Sequence, residues 1–111
     1  MGTKIDRRLE LEAQVLFHLW AEGATPFRRL LELLKVQQPA AQAALVSLIS
    51  KGYIYKLFDS PGDETGSIYY LTSSARDRLR KIFQGDPRYH LQQLWHALKR
   101  EETKLPQLRL G

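Results

Sequence analysis

Residues 37–54 read QQPAAQAALVSLISKGYI. Pro39 stands where a helix can begin, because its missing N–H has no partner to lose there. Gly52 stands where a helix can end in a left-handed turn. Between them Ala41, Ala44, Leu45, Leu48 and Ile49 recur at helical spacing and predict one buried stripe. The opposite face carries Ala40, Gln42, Ala43, Val46, Ser47 and Ser50. It is small and uncharged, which is unusual for a helix face that only meets water. Tyr53 and Ile54 then open a strand-like run.

Working outward toward the N-terminus, Val36 to Gln38 is a short connection, and a helix from Phe27 to Lys35 precedes it. Thr25-Pro26 supplies a cap and a proline start for that helix. Phe27, Leu30, Leu31 and Leu34 face inward, and Arg28, Arg29 and Glu32 face out. Two helices joined this tightly, the second small on its outer face, make a helix-turn-helix unit. Asp6 to Glu22 is a further helix, stopped by Gly23. Leu9, Ala13, Leu16, Phe17 and Trp20 form one stripe on it, and Leu11, Val15 and Leu19 form a second. A helix apolar on two sides is buried on two sides.

Toward the C-terminus, Tyr53–Phe58 and Ser67–Leu71 are rich in aromatic and β-branched residues and predict a hairpin. Asp59 to Gly66 is its loop. The aromatic run Tyr53, Tyr55, Phe58, Tyr69 and Tyr70 fits cross-strand pairs and core contacts better than base stacking. Thr72-Ser73-Ser74 caps a fourth helix, with Asp77 suited to its positive end. Leu79, Ile82 and Phe83 are its buried stripe. Asp86-Pro87 starts a fifth helix with a seam of Leu91, Leu94, Trp95 and Leu98, ending near Glu102. The tail from Thr103, with Pro106, is expected to fray.

The totals fit one domain over 1–111, with a core at about 6–84 and a terminal helix at about 86–103. The chain has 111 residues, no cysteine and a formal net charge of +5. The absent cysteine excludes disulfides and thiolate metal sites. The charge favours an acidic partner, nucleic acid being the usual one. No apolar run approaches a membrane span, and Met1 to Arg8 lacks the apolar core of a secretory signal, so the cytosol is the default expectation. His18, His90 and His96 share no face, no nucleophile has a base spaced for it, and no glycine loop cradles a phosphate. No enzyme, metal or cofactor is expected.

The element order and two stretches, LVSLISKGYIYKL at 45–57 and IYYLTSSARDRL at 68–79, resemble the winged helix-turn-helix of the MarR-like and PadR-like transcription regulators. The resemblance covers Leu9 to Phe83. It implies a mainly α fold with a small β-hairpin, a winged helix-turn-helix plus C-terminal helix. It also implies a sequence-specific regulator, acting as a homodimer on double-stranded DNA and excluding other factors. This chain has Ala75 where the family usually has glycine, and an acidic wing with Asp59, Asp63 and Glu64.

In that docking the third helix enters a major groove. Gln42 suits adenine, Ala40 and Ala43 suit thymine methyl groups, and Gln38 and Ser47 lie on the same approach. Arg28, Arg29, Lys35, Lys51 and Lys56 surround it as phosphate contacts. The run Arg76–Lys81 fits a solvated face better. Leu11, Val15, Leu19, Leu91, Leu94, Trp95 and Leu98 are the expected dimer surface. The alternative is that the fifth helix folds back on the first and closes both stripes in a monomer. A second function class stays open: a winged-helix module that docks a protein through the uncharged third-helix face, favoured by the acidic wing and by the absence of arginine from that helix. No residue marks an effector site.

Overall fold

The computed structural model describes residues 3–57 and 67–110, with side-chain surroundings given over 8–57 and 67–102. The expected wing loop, with Asp59, Asp63 and Glu64, and Phe58 before it lie outside these residues. The elements are α1 (Thr3–Glu22), β1 (Thr25–Pro26), α2 (Phe27–Leu34), α3 (Gln38–Ser50), β2 (Ile54–Leu57), β3 (Ile68–Leu71), α4 (Ser73–Ile82), a 3₁₀ turn (Pro87–Tyr89) and α5 (His90–Leu110). This is a winged-helix fold, three helices with a small antiparallel sheet whose first strand lies between α1 and α2.

The sheet has three strands in the order β1-β3-β2, where the sequence predicts two. Thr25 pairs with Tyr69 and Pro26 with Ile68. Two residues cannot show alternation, so β1 is invisible to pattern reading. It also changes the role of Thr25. Its hydroxyl donates back to the Gly23 carbonyl at 2.8 Å, and the N-cap of α2 is Pro26, without a side-chain cap. The first amide of α2 is satisfied instead from just before β3, Phe27 N–H donating to Ser67 O at 2.9 Å. On the other edge Tyr55 lies opposite Tyr70, with ring centroids 5.4 Å apart, while Tyr53 and Tyr69 are buried. The aromatic run is thus hairpin pairing and core.

Gly52 ends α3 as the sequence predicts. Its φ is +82°, its N–H donates to Ile49 O, and Tyr53 N–H reaches back to Leu48 O at 3.0 Å. These two bonds satisfy carbonyls the helix leaves open. Thr72 then locks this turn to α4. Its hydroxyl accepts from Ala75 N–H at 3.1 Å and donates to Gly52 O at 2.9 Å. Asp77 sits one turn too deep to serve the positive end of α4, and pairs with Arg80 at 2.9 Å.

The core gathers Leu9, Leu16, Phe27, Leu30, Leu45, Leu48, Leu79, Leu94 and Leu98, each no more than 1% exposed. Helix α1 packs on α2 and α3 with one side and most extensively on α5 with the other. Together these contacts revise the reading of the second stripe and of the α5 seam. Val15, Leu19, Leu94 and Leu98 are buried inside the chain's own core. Leu11, Leu91 and Trp95 are only partly buried. α5 also runs beyond Glu102 to Leu110 where fraying is expected. Pro106 removes one backbone donor without ending the helix. At the far end Phe83 stacks on His90, with centroids 4.7 Å apart, and meets Trp20 edge-on at 5.3 Å.

Thr72→Ala removes a cap and leaves the Gly52 carbonyl without its hydroxyl partner. It should cost about 1–2 kcal/mol of stability, measured as a lower urea midpoint, whereas Thr72→Ser should stay close to the parent.

Candidate nucleic-acid interface

The turn between α2 and α3 is closed by Lys35 in the left-handed region, φ 56°, its N–H donating to Leu31 O at 2.9 Å. Few residues other than glycine adopt that conformation. It reverses the chain quickly enough for α3 to start at Gln38, three residues on. Gln37 is extended and Pro39 occupies the first turn. The α2–turn–α3 unit is therefore set by Lys35 and Pro39 together.

The burial of Ala41, Ala44, Leu45 and Leu48 fixes how α3 is rotated. Gln38, Pro39, Ala40, Ala43, Val46 and Ser50 are exposed, and Gln42 and Ser47 are half-buried. Val46 is the most exposed large apolar side chain described, at 65%. Ile49, expected in the buried stripe, is 38% exposed. It stands at the stripe's edge, and nothing covers it completely. Ala40 and Ala43 line a groove with Leu11, Gln14, Leu34 and Val36, so they mark the edge of α3 nearest α1. Val46, which the sequence counts as small and outward without giving it a role, stands nearer the centre of the exposed face.

The five candidate cations divide. Arg28 and Arg29 are exposed on the first turn of α2, and Lys35 is exposed at its end. Arg29 lies 3.6 Å from Glu22 and 3.4 Å from Glu32. Pairs this exposed are weak and give way to a stronger anion. Lys56 is half-buried on β2.

Lys51 is a different case, because carboxylates of the chain itself hold its ammonium. Its ammonium donates to Glu12 Oε1 at 2.8 Å and lies 3.5 Å from Glu102 Oε2. Glu12 has no exposed side-chain surface. A buried carboxylate holds its cation far more firmly than a surface one does. Arg8 completes the group, 3.6 Å from Glu12 Oε2 and paired with Glu102. Beside it, the Tyr53 hydroxyl donates to Glu101 at 2.7 Å, and Arg78 pairs with the same carboxylate. Burial, and then that hydrogen bond, push the Tyr53 phenol well above its ordinary range. Arg78 is thus engaged, unlike the wholly solvated face expected of the fourth helix. The sequence holds one signal for this network: Glu12 falls between the two apolar stripes of α1, where any side chain is covered.

Among the described residues no group of three or more His, Cys, Asp or Glu side chains is placed to hold a metal ion. No helix among them is long and apolar enough to cross a membrane.

No protein-family model matches the sequence, and no curated protein matches it. Solved structures do. MepR from a multidrug-resistant S. aureus isolate, as a variant, superposes with a TM-score of 0.57 at 22% identity, covering 95% of this chain and 86% of that one. MarR from E. coli, a variant complexed with operator DNA, gives 0.56 at 21% identity, covering 95% and 88%. A MarR-family regulator from Silicibacter pomeroyi gives 0.53 at 21%, covering 93% and 83%. At these identities the likeness is one of fold: the chain is built as a MarR-like winged helix over nearly its whole length.

Proposed function

We propose that this protein is a sequence-specific, double-stranded DNA-binding transcription regulator that acts as a homodimer and represses by occupying its site. The observation that carries the reading is the outer face of α3. It is small, uncharged and exposed, and it follows directly on the exposed Arg28, Arg29 and Lys35 of α2. A helix with short side chains can approach base edges closely, while cations on its neighbour hold the backbone. The MarR of E. coli, built on the same fold, is complexed with operator DNA.

Within this reading Gln38, Ala40, Gln42, Ala43 and Ser47 meet bases. Arg28, Arg29, Lys35 and Lys56 meet phosphates. The dimer surface is narrower than the two stripes of α1 and α5. It follows a groove lined by Glu10, Ala13, Arg88, Leu91, Gln92 and Trp95, and leaves out Leu11, which lines the groove beside α3. A two-fold axis there sets the spacing of two α3 helices.

A second reading has its own observation. Val46 and Ile49 expose apolar surface on a helix without arginine, which suits a protein partner. Binding to duplex DNA separates the two.

Replacing Arg28 and Arg29 by Ala should weaken binding to every duplex and make log K against log salt shallower by about 3.6 units, near 0.9 for each of the four phosphate contacts that a bound homodimer loses. Equal binding at all salt concentrations contradicts the docking. Gln42→Ala should instead change the preferred base at one position, by about 1–3 kcal/mol, read by selection from random duplexes.

For the dimer, the parent should sediment as two chains at micromolar concentration, and Trp95→Glu as a folded single chain. A monomeric parent contradicts it. Leu94 is unsuited to this test, because its burial makes a charge there unfold the chain.

A further inference from the structure

We infer that Lys51 is a positioning residue, which aims α3 from its C-terminal end through Glu12 and Glu102. The inference deepens the DNA-binding reading and rests on it. Lys51 caps α3. Its ammonium joins a carboxylate of α1 to a carboxylate of α5, and Arg8 closes the ring from α1. Three elements therefore meet at one charge. The ammonium also lies at the negative end of the α3 dipole.

Such a buried pair is a poor device for stability, since apolar residues of similar size commonly do as well. What it adds is directional. Glu12 has zero exposure, and its Oε2 makes no hydrogen bond, so Lys51 on Oε1 is its principal compensation. Rotation or withdrawal of α3 strands that charge. A sliding apolar contact carries no such penalty. The adjacent residue of α5, Glu101, grips the other side of the same turn through Tyr53. The pair Glu101-Glu102 thus holds the C-terminus of α3 across Gly52. With about 1.5 Å of rise per residue, the far end of α3 is some 20 Å away, so a tilt of about ten degrees displaces Gln38 by roughly 3 Å. That is enough to break base contacts.

The test uses Lys51→Met, Glu12→Leu and the pair together, which restores the net charge. Urea midpoints and binding to a selected operator and to a random duplex are measured over a salt series. Lys51→Met should lower the midpoint, because it leaves the buried Glu12 with only the more distant Arg8 as a counter-charge. The double variant should recover the midpoint and keep the parental salt slope, yet lose about ten-fold in preference for the operator over the random duplex. Recovery of both midpoint and preference overturns positioning and leaves a purely structural pair. A salt slope about two units shallower in the double variant, near 0.9 for Lys51 of each subunit, overturns it in favour of phosphate contact. Should the double variant not fold, Glu102→Gln, at a half-exposed site, stands in with the same expectations for preference and slope. A parent that binds no duplex overturns the DNA reading alone. Amide exchange at Gly52 and Tyr53 then decides the network: it should quicken in Glu102→Gln, and unchanged exchange overturns it.

Discussion

Helix α1 is apolar on two faces, and no chain this small can leave either face in water. Leu9, Ala13 and Leu16 belong to one face and Val15 and Leu19 to the other, and all five are buried. Covering both requires partners on opposite sides. α2 and α3 take one side, and α5 returns to take the other. Full burial of the Leu and Val side chains among them stabilises by about 1.5–3 kcal/mol each, enough to dominate the weaker preferences of the loops. The three-stranded sheet and α4 then seal the open end, through Tyr69, Leu71 and Leu79.

The same constraint explains where charge is tolerated. Glu12 lies in the seam between the two faces and is covered by the packing of α3 and α5. A lone carboxylate there is costly, so cations must come to it. Lys51 and Arg8 do. The contrast with Arg28 and Lys35 is the useful result. All three side chains carry one positive charge near α3, but only Lys51 faces inward. Counting basic residues around a helix cannot separate these roles; burial of the partner does.

Much of this was legible in the residues and some was not. The helices α2 and α3, the turn at Gly52, the hairpin and the Thr72 cap follow from periodicity and capping chemistry, because each depends on neighbours in sequence. β1 did not, since two residues carry no period and their partner, β3, is over forty positions away. The apolar seams of α1 and α5 were readable as seams, but not as belonging to each other. Val15, Leu19, Leu94 and Leu98 would look the same facing a second copy. The likewise long-range group of Lys51, Glu12 and Glu102 joins three elements and has no local signature beyond one carboxylate in an apolar setting. At the candidate site, the outward residues of α3 were nearly all readable. Ile49 is the exception, because the burial of an edge position is decided by what packs beside it.

The central claim is that the exposed face of α3 is the surface that meets DNA. Amide NMR of the labelled chain, titrated with a mixed-sequence duplex, tests it most directly. The largest changes should fall at Gln38 to Ser47 and at Arg28 and Arg29, with little change in the second half of α5. Changes confined to α4 and α5, or none at saturating duplex, would contradict it.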